Sequence, residues 1–409
     1  MFNRDRWQEI FETIRKNKLR TFLSGFTVAL GIFIFIILFG FGNGLKNTFK
    51  EFFLDDATNT IFLFPGRTSE PYQGFKANRR IEFDNSDLAD IKENFPFFLE
   101  YITPRISRSA VVKYKNEFDN YSTRGVGPAH QFAEKTIIMK GRYINTSDIK
   151  NKTKYAVIGR LVARDLFKKE DPIGKFIDVG NSVFKVVGVF QDDGGDNEER
   201  FIYIPYTTRQ LLEKSNDKID QIILAFKPQL GHAGSLGFEK KLRTFLKQKK
   251  SIAPSDANGI YIRNVADDLK RNQSFASVLQ IIVTFVGLGT LIAGIIGISN
   301  IMVFVVKERT KELGIRKALG ATPKSVIQMI LQESIFITTL SGFIGMLIGV
   351  LILDNLGETL EDFFIKNPFI DLSTAIGSTL VLIIFGAIAG YIPAKRAASI
   401  KPIVALRDE

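Results

Sequence analysis

Cysteine is absent from this 409-residue sequence, and histidine occurs only at His130 and His232. The first absence excludes a disulfide framework, thiolate metal ligation and thiol catalysis, and the second excludes a histidine-rich metal centre. No GxxxxGK[ST] phosphate loop is present, because the Gly-Lys of Pro172-Ile-Gly-Lys175 lacks both the upstream glycine and the following hydroxyl residue. GxSxG and HExxH are missing as well, so the chain is expected to be no enzyme, to bind no cofactor and to hydrolyse no nucleotide itself.

Charge is missing in a more organised way. The mean hydropathy of +0.07 is ordinary for a soluble protein, but it averages over four stretches without a single charged residue: Thr21 to Leu45, Asn272 to Val306, Ser334 to Leu353 and Leu372 to Ala394. Each reaches the roughly 20 residues that carry a helix across about 30 Å of hydrocarbon. Four transmembrane helices follow, placed at 21–45, 272–306, 325–353 and 372–394. The first could instead be read as a secretory leader, since basic residues precede it. Its apolar run is too long for that, and it ends in Gly40-Phe-Gly-Asn-Gly44 rather than in a small-x-small cleavage site.

What is present sets the orientation. Arg4, Arg6, Arg15, Lys16, Lys18 and Arg20 precede the first span, Lys307, Arg309, Lys311, Arg316, Lys317 and Lys324 separate the second and third, and Lys395, Arg396, Lys401 and Arg407 follow the fourth. Lys and Arg near span ends are retained in the cytoplasm, so both termini and the 307–324 loop are expected there, in a multi-pass protein of the cytoplasmic (inner) membrane. The short 354–371 loop carries Asp354, Glu358, Glu361, Asp362 and Asp371 against Lys366 alone, as expected outside. The net charge of +12 is in part this bias, with a further contribution from the lysines of 240–250, and requires no nucleic-acid partner.

Outside the spans, Trp7, Ile10, Phe11 and Ile14 recur at helical spacing in 1–20 and predict an amphipathic helix on the inner leaflet or a lead-in to the first span. Residues 46–271 form the one segment large enough for a globular, extracytoplasmic α+β domain. Strands are expected at 155–158, 176–179, 184–190, 202–204, 219–226 and 259–262, and helices at 160–167 and 238–249. The acidic stretch 191–200 lacks the spacing of a calcium loop and is expected to be an exposed hairpin tip. The polar start of the 272–306 block, Asn272-Gln273-Ser274, suggests a helix that stands above the membrane before entering it. The last fifteen residues, 395–409, are a cytoplasmic tail.

Two features point to function. In the 307–324 loop, Glu312 precedes Arg316 by four residues, Ile315, Ala318 and Leu319 gather on one side, Gly320 is placed to end a helix, and Thr322-Pro323 to start the next. A charged surface helix is by default a solvated connector, but Gly314, Gly320 and the small apolar face favour docking onto a cytoplasmic partner. Inside the spans, Gly345 and Gly349, like Gly386 and Gly390, are four apart, and Gly294 and Gly297 lie in the second span. Such small residues permit close packing, within one chain or between two copies. Ionisable residues are scarce at mid-depth, which argues against ion-coupled transport, and Glu333 sits near the cytoplasmic end of the third span as an interfacial contact.

Three stretches then resemble one family. They are Gly297-Ile-Ser-Asn-Ile-Met-Val303 leading into Glu308-Arg309-Thr310 and Glu312-Leu-Gly-Ile-Arg-Lys-Ala-Leu-Gly-Ala321; Gly390-Tyr-Ile-Pro-Ala-Lys-Arg-Ala-Ala398 with Pro402 and Ala405-Leu-Arg407; and Gly141-Arg142, Ala156-Val-Ile-Gly159, Leu166-Phe167, Pro172-Ile-Gly-Lys175 and Phe184-Lys-Val-Val-Gly-Val189. Together they resemble the MacB/FtsX-like permeases of ATP-binding-cassette systems. The resemblance implies four spans, a large outer domain after the first, a homodimer or related heterodimer, and a coupling helix that contacts an ATP-binding subunit. It assigns that role to Glu308, Arg309, Glu312, Leu313, Gly314, Arg316, Lys317 and Gly320, with ATP and magnesium held by the partner. Members with a fused ATPase carry it at the N-terminus, whereas this sequence starts with the amphipathic segment, so the ATPase is expected on a separate polypeptide. Export by transmission of conformational change, with a periplasmic adaptor and outer-membrane channel as further partners, is the leading expectation. Lipoprotein release and a signalling scaffold that regulates cell-wall hydrolases are the alternatives.

Overall fold

The computed structural model describes residues 18–51, 57–192, 195–214, 216–361, 363 and 365–399, and the chain divides into two compact units. One comprises the described residues up to Phe49 together with those from Ser274 onward, and the other is Lys50–Gln273. The amphipathic helix expected before Lys18 and the tail beyond Ser399 lie outside the described residues.

The first unit is helical. Helix α1 (Lys18–Glu51), α2 (Val265–Glu308), α4 (Pro323–Glu361) and α5 (Leu372–Ser399) are each long and apolar enough to cross a membrane, and the short α3 (Thr310–Ala318) joins α2 to α4. α4 runs past the expected end at 353 because Asp354-Asn-Leu-Gly-Glu-Thr-Leu-Glu361 is polar yet rich in helix formers, so the helix outlasts its apolar stretch. Val28, Ile32 and Ile36 of α1 meet Leu291 and Ile298 of α2, Ile337 of α4 and Leu382 of α5 in one buried core. Outward-facing residues such as Phe285, Ile344 and Ile384 remain exposed, as lipid-facing positions are.

Close approach is set by residues without side chains. A Cβ at Gly345 would run into the Ala29 carbonyl oxygen, and one at Gly349 would lie 2.9 Å from Ile36 Cγ2. Gly386 faces Thr338, and Gly390 faces Ser334 at 2.8 Å. All four glycines therefore pack helices of the same chain, α4 on α1 and α5 on α4. Pro393 interrupts α5, and because it has no N–H, the Ala389 carbonyl four residues back is left without its helical donor. The Ser299 hydroxyl of α2 donates to that carbonyl at 3.3 Å.

The second unit is built on a ten-stranded sheet: β1 (Thr60–Pro65), β2 (Leu99–Tyr114), β3 (Glu117–Val126), β4 (Ile137–Gly141), β5 (Tyr155–Gly159), β6 (Phe176–Val179), β7 (Val183–Gln191), β8 (Phe201–Pro205), β9 (Gln221–Phe226) and β10 (Ile260–Asn264). The order is β10-β1-β9-β2-β3-β8-β5-β7-β4, and β6 pairs with both β2 and β7. Strands β2, β3, β8, β5, β7 and β6 thus close a ring around Val112, Ile158, Phe184 and Ile202. The 16-residue β2 serves two neighbourhoods, pairing with β9 over Leu99–Arg105 and with β3 over Arg105–Tyr114. Helices Asn85–Asn94 and Gly231–Lys249 cover the β1/β9/β10 end through Ile91, Phe238, Leu242 and Leu246.

Two local expectations are corrected. The strand expected over 219–226 breaks at Asp220, whose carboxylate accepts from the Ser107 N–H at 2.8 Å and from Arg108 at 2.6 Å. Ile219 instead pairs with Phe83. The 191–200 stretch is no exposed hairpin tip, because β7 and β8 are not neighbours and β5 lies between them. Asp192 and Glu199 are buried, and Glu199 pairs with Arg160 at 2.6 Å.

Where β2, β3 and β8 meet, charge is buried in quantity. Glu134 pairs with Arg105 at 2.7 Å and with Arg124 at 3.3 Å, and the Arg124 guanidinium lies over the Phe201 ring. His130 is fully buried beside Tyr203, with Nδ1 3.0 Å from the Tyr143 hydroxyl. Burial pushes its imidazole down to about 3, against the pull of Glu134. Burial also acts on Glu134, but the Arg105 and Arg124 guanidiniums outweigh it and hold the carboxyl below its usual range.

Two outcomes are expected. His130 is neutral when folded and takes a proton near pH 6.5 when unfolded, so its contribution is complete above that pH and is lost as pH falls toward 3, by up to about 1.4 kcal/mol per pH unit. Calorimetry of the full chain in detergent should show His130→Gln flattening the fall in Tm between pH 6.5 and 5. Gly345→Leu should separate α1 from α4 and destabilise the chain by about 1–3 kcal/mol, whereas Gly289→Leu, where nothing lies within 4 Å, should leave its thermal transition in place.

Candidate functional site

The loop between α2 and α4 has two faces. α3 ends at Ala318 in a Schellman arrangement: Gly320 sits at φ +100°, its N–H reaches the Lys317 carbonyl at 3.1 Å, and the Ala321 N–H reaches the Arg316 carbonyl at 3.0 Å. Only glycine occupies that φ cheaply. The chain restarts at once, with the Thr322 hydroxyl accepting from the Ser325 N–H at 3.3 Å and Pro323 opening α4.

The inner face is tied to the bundle. Leu313 is buried in the same core as Val306, Val326, Ile330, Ala394 and Ala397, and Gly314 is buried beside it. Arg309, at the α2/α3 junction, reaches Glu333 of α4 at 3.3 Å, with both side chains largely buried, and lies 3.9 Å from Glu312. Arg316 holds Glu312 at 3.1 Å and approaches the Met329 sulfur at 3.7 Å. Lys317 Nζ donates to the Ala398 carbonyl near the C-terminus of α5 at 2.7 Å, where a cation meets the negative end of the helix. α3 is thus fastened to α4 and α5 as well as to the end of α2.

The outer face is different. Lys311, Ile315, Ala318 and Leu319 are exposed in succession, Ile315 by 44% and Leu319 by 84%, flanked by exposed Lys307, Glu308 and Lys324. Of the eight residues that the resemblance assigned to coupling, Glu308, Glu312 and Gly320 are exposed, Leu313 and Gly314 are buried, and Arg309, Arg316 and Lys317 are half-buried. Ile315, Ala318 and Leu319 gather on one side of the turn in the sequence, and the resemblance assigns them no role. Their i, i+3, i+4 spacing was the available signal, and what the spacing alone left open was which side faces the bundle.

A model of the MacB-like periplasmic core domain matches residues 21–230, and a model of the FtsX-like permease C-terminal region matches residues 284–402. The chain belongs to the MacB/FtsX-like ABC transporter permease family. It is a multi-pass membrane protein with a large α/β domain between its first and second membrane helices. It is 27% identical over 421 residues to the macrolide export ATP-binding/permease protein MacB of Mannheimia succiniciproducens, covering 100% of this chain and 62% of that protein. It is 28% identical over 412 residues to the protein of the same description from Wolinella succinogenes, covering 98% of this chain and 60% of that one. The chain therefore spans less than two thirds of the length of these relatives. The crystal structure of the periplasmic region of MacB from Actinobacillus actinomycetemcomitans aligns with a TM-score of 0.44 at 21% identity, over 54% of this chain and 94% of that one.

The Arg309–Glu333 pair should be visible in stability. Removing one member strands the other in a largely buried site, so Arg309→Ala should cost about 3 kcal/mol, and Arg309→Ala/Glu333→Ala should cost less than the sum of the single changes. Thermal unfolding of the four chains of this cycle in detergent measures it.

Proposed function

We propose that this chain is the transmembrane subunit of an ATP-driven transporter of the cytoplasmic membrane, and that the outer face of α3 receives a cytoplasmic ATP-binding subunit. The observation that carries this is the two-sided character of α3: an exposed apolar ridge framed by lysines on one side, and buried fastenings to other helices on the other. Contiguous exposed apolar residues, Ile315, Ala318 and Leu319, on a short and well-anchored helix suit a groove on a partner. Movement imposed on that ridge passes through Leu313 and Arg309 into α2 and α4, and through Lys317 into α5. ATP and its magnesium belong to the partner, the working unit holds two permease copies, and both termini are cytoplasmic.

The relatives named as macrolide exporters favour export as the direction of work. The spans support conformational transmission rather than ion coupling. Glu333, the one acidic residue of the described spans away from their ends, is engaged by Arg309 and is not available as a free proton relay.

The test targets the ridge and spares the fastenings. Ile315→Asp/Leu319→Asp should weaken association with the cognate ATP-binding subunit by about 30-fold, the loss of a central hot spot, while the thermal transition of the permease stays in place. Retained binding and transport in that variant would remove α3 as the docking element.

A further inference from the structure

Between α1 and α4 the helical unit leaves a groove of about 650 Å³, within the range of small-molecule sites of roughly 300–1,000 Å³. Its floor is made where the helices come closest, at Gly25, Ala29 and Gly345. Its walls are apolar and reach outward, with Phe22 66%, Phe26 53% and Leu340 51% exposed. Among the described residues one ionisable side chain lines it, Lys18, at the end where α1 begins. From Lys18 to Phe33 the groove follows α1 for about 22 Å at the helical rise, somewhat more than the roughly 15 Å hydrocarbon depth of one leaflet.

We propose that this groove binds one phospholipid of the leaflet facing the N-terminal end of α1, with an acyl chain laid along Gly25, Ala29 and Gly345 and an anionic phosphate headgroup on Lys18. The polarity of the site is that of an amphiphile: among the described residues Lys18 is the cation at one end, and beyond it runs a continuous apolar trough with the Thr21 and Ser341 hydroxyls as its polar side chains. Charge argues against a second copy of the chain as the occupant. A two-fold contact through this groove brings the partner's α1 to the same depth, and with it a second Lys18, placing like charges together with no acidic residue among the described lining residues. An anionic lipid supplies the counter-charge that a second copy lacks, and a tail fills a narrow trough without demanding holes for side chains. The inference rests on the membrane-spanning helices and not on the docking face of α3, so either can fail alone.

The experiment uses the full chain purified in detergent and native mass spectrometry. Phosphatidylglycerol is compared with phosphatidylcholine of the same acyl chains. The unaltered chain should retain one phosphatidylglycerol in preference to phosphatidylcholine by about fivefold, the worth of one lysine at a lipid surface. Lys18→Gln should bring the two lipids level, and Ile344→Trp, which fills the trough from its wall, should remove the retained adduct of both. Since the chain has no cysteine, Leu340→Cys gives a single labelling position, and a bimane placed there should be quenched saturably by phosphatidylglycerol with brominated tails. Equal retention of the two lipids by the unaltered chain, adducts that persist in Ile344→Trp, or quenching at Cys-labelled position 340 that never saturates would each overturn the proposal. So would efficient disulfide dimerisation of Leu340→Cys in native membranes, which assigns the groove to a second copy.

Discussion

Helices in hydrocarbon gain little from burying apolar surface against one another, because lipid tails offer them the same contacts, so they associate where their backbones come close. In this chain that condition is met by Gly345 against the Ala29 carbonyl, with Gly349 on Ile36 one turn along. The α1/α4 crossing places Val28, Ile32 and Ile36 in the common core, and α5 follows through Gly386 and Gly390. Polar links then act at points rather than along faces. Ser299 reaches the Ala389 carbonyl and Arg309 the Glu333 carboxylate. The 307–324 loop depends on this assembly, since α3 is seated on the ends of α4 and α5.

Much of the helical unit was legible because the physics is one-dimensional. An uncharged run of sufficient length spans hydrocarbon whatever its neighbours do, and the caps of α3 follow from local chemistry: Gly320 at positive φ, the Thr322 hydroxyl and Pro323 at the first position. What stayed hidden needed a third dimension. Lys317 reads as one more surface cation, and only the arrival of the C-terminus of α5 makes it an internal donor. In the same way, Glu333 and Arg309 are separated by 24 positions, and no periodicity joins them.

The outer unit shows the opposite balance. Strands β5, β8 and β9 were readable as compact apolar runs buried on nearly every side chain. Strands β2 and β3 were not, because a ring has an outside: Glu-Phe-Asp-Asn-Tyr-Ser-Thr-Arg-Gly-Val of β3 buries only some of its positions and spends the rest on solvent. Pairing, not composition, identifies them. The Asp192–Arg200 link was misjudged for a related reason, since a run of acids implies exposure until a strand order places β5 between its ends and Arg160 beside Glu199.

Pro393 leaves one backbone hydrogen bond missing within the continuous α5, and this weak joint is answered from outside the helix. The carbonyl that the proline frees is held by a hydroxyl of α2, so the stiffness of the joint is a property of the α2/α5 contact and not of α5 itself. A slide of α2 by a single residue's rise, about 1.5 Å, is enough to part Ser299 from Ala389. The Ala389 carbonyl then has no donor, so the position of α2 along its own axis decides whether the backbone of α5 is satisfied at its proline.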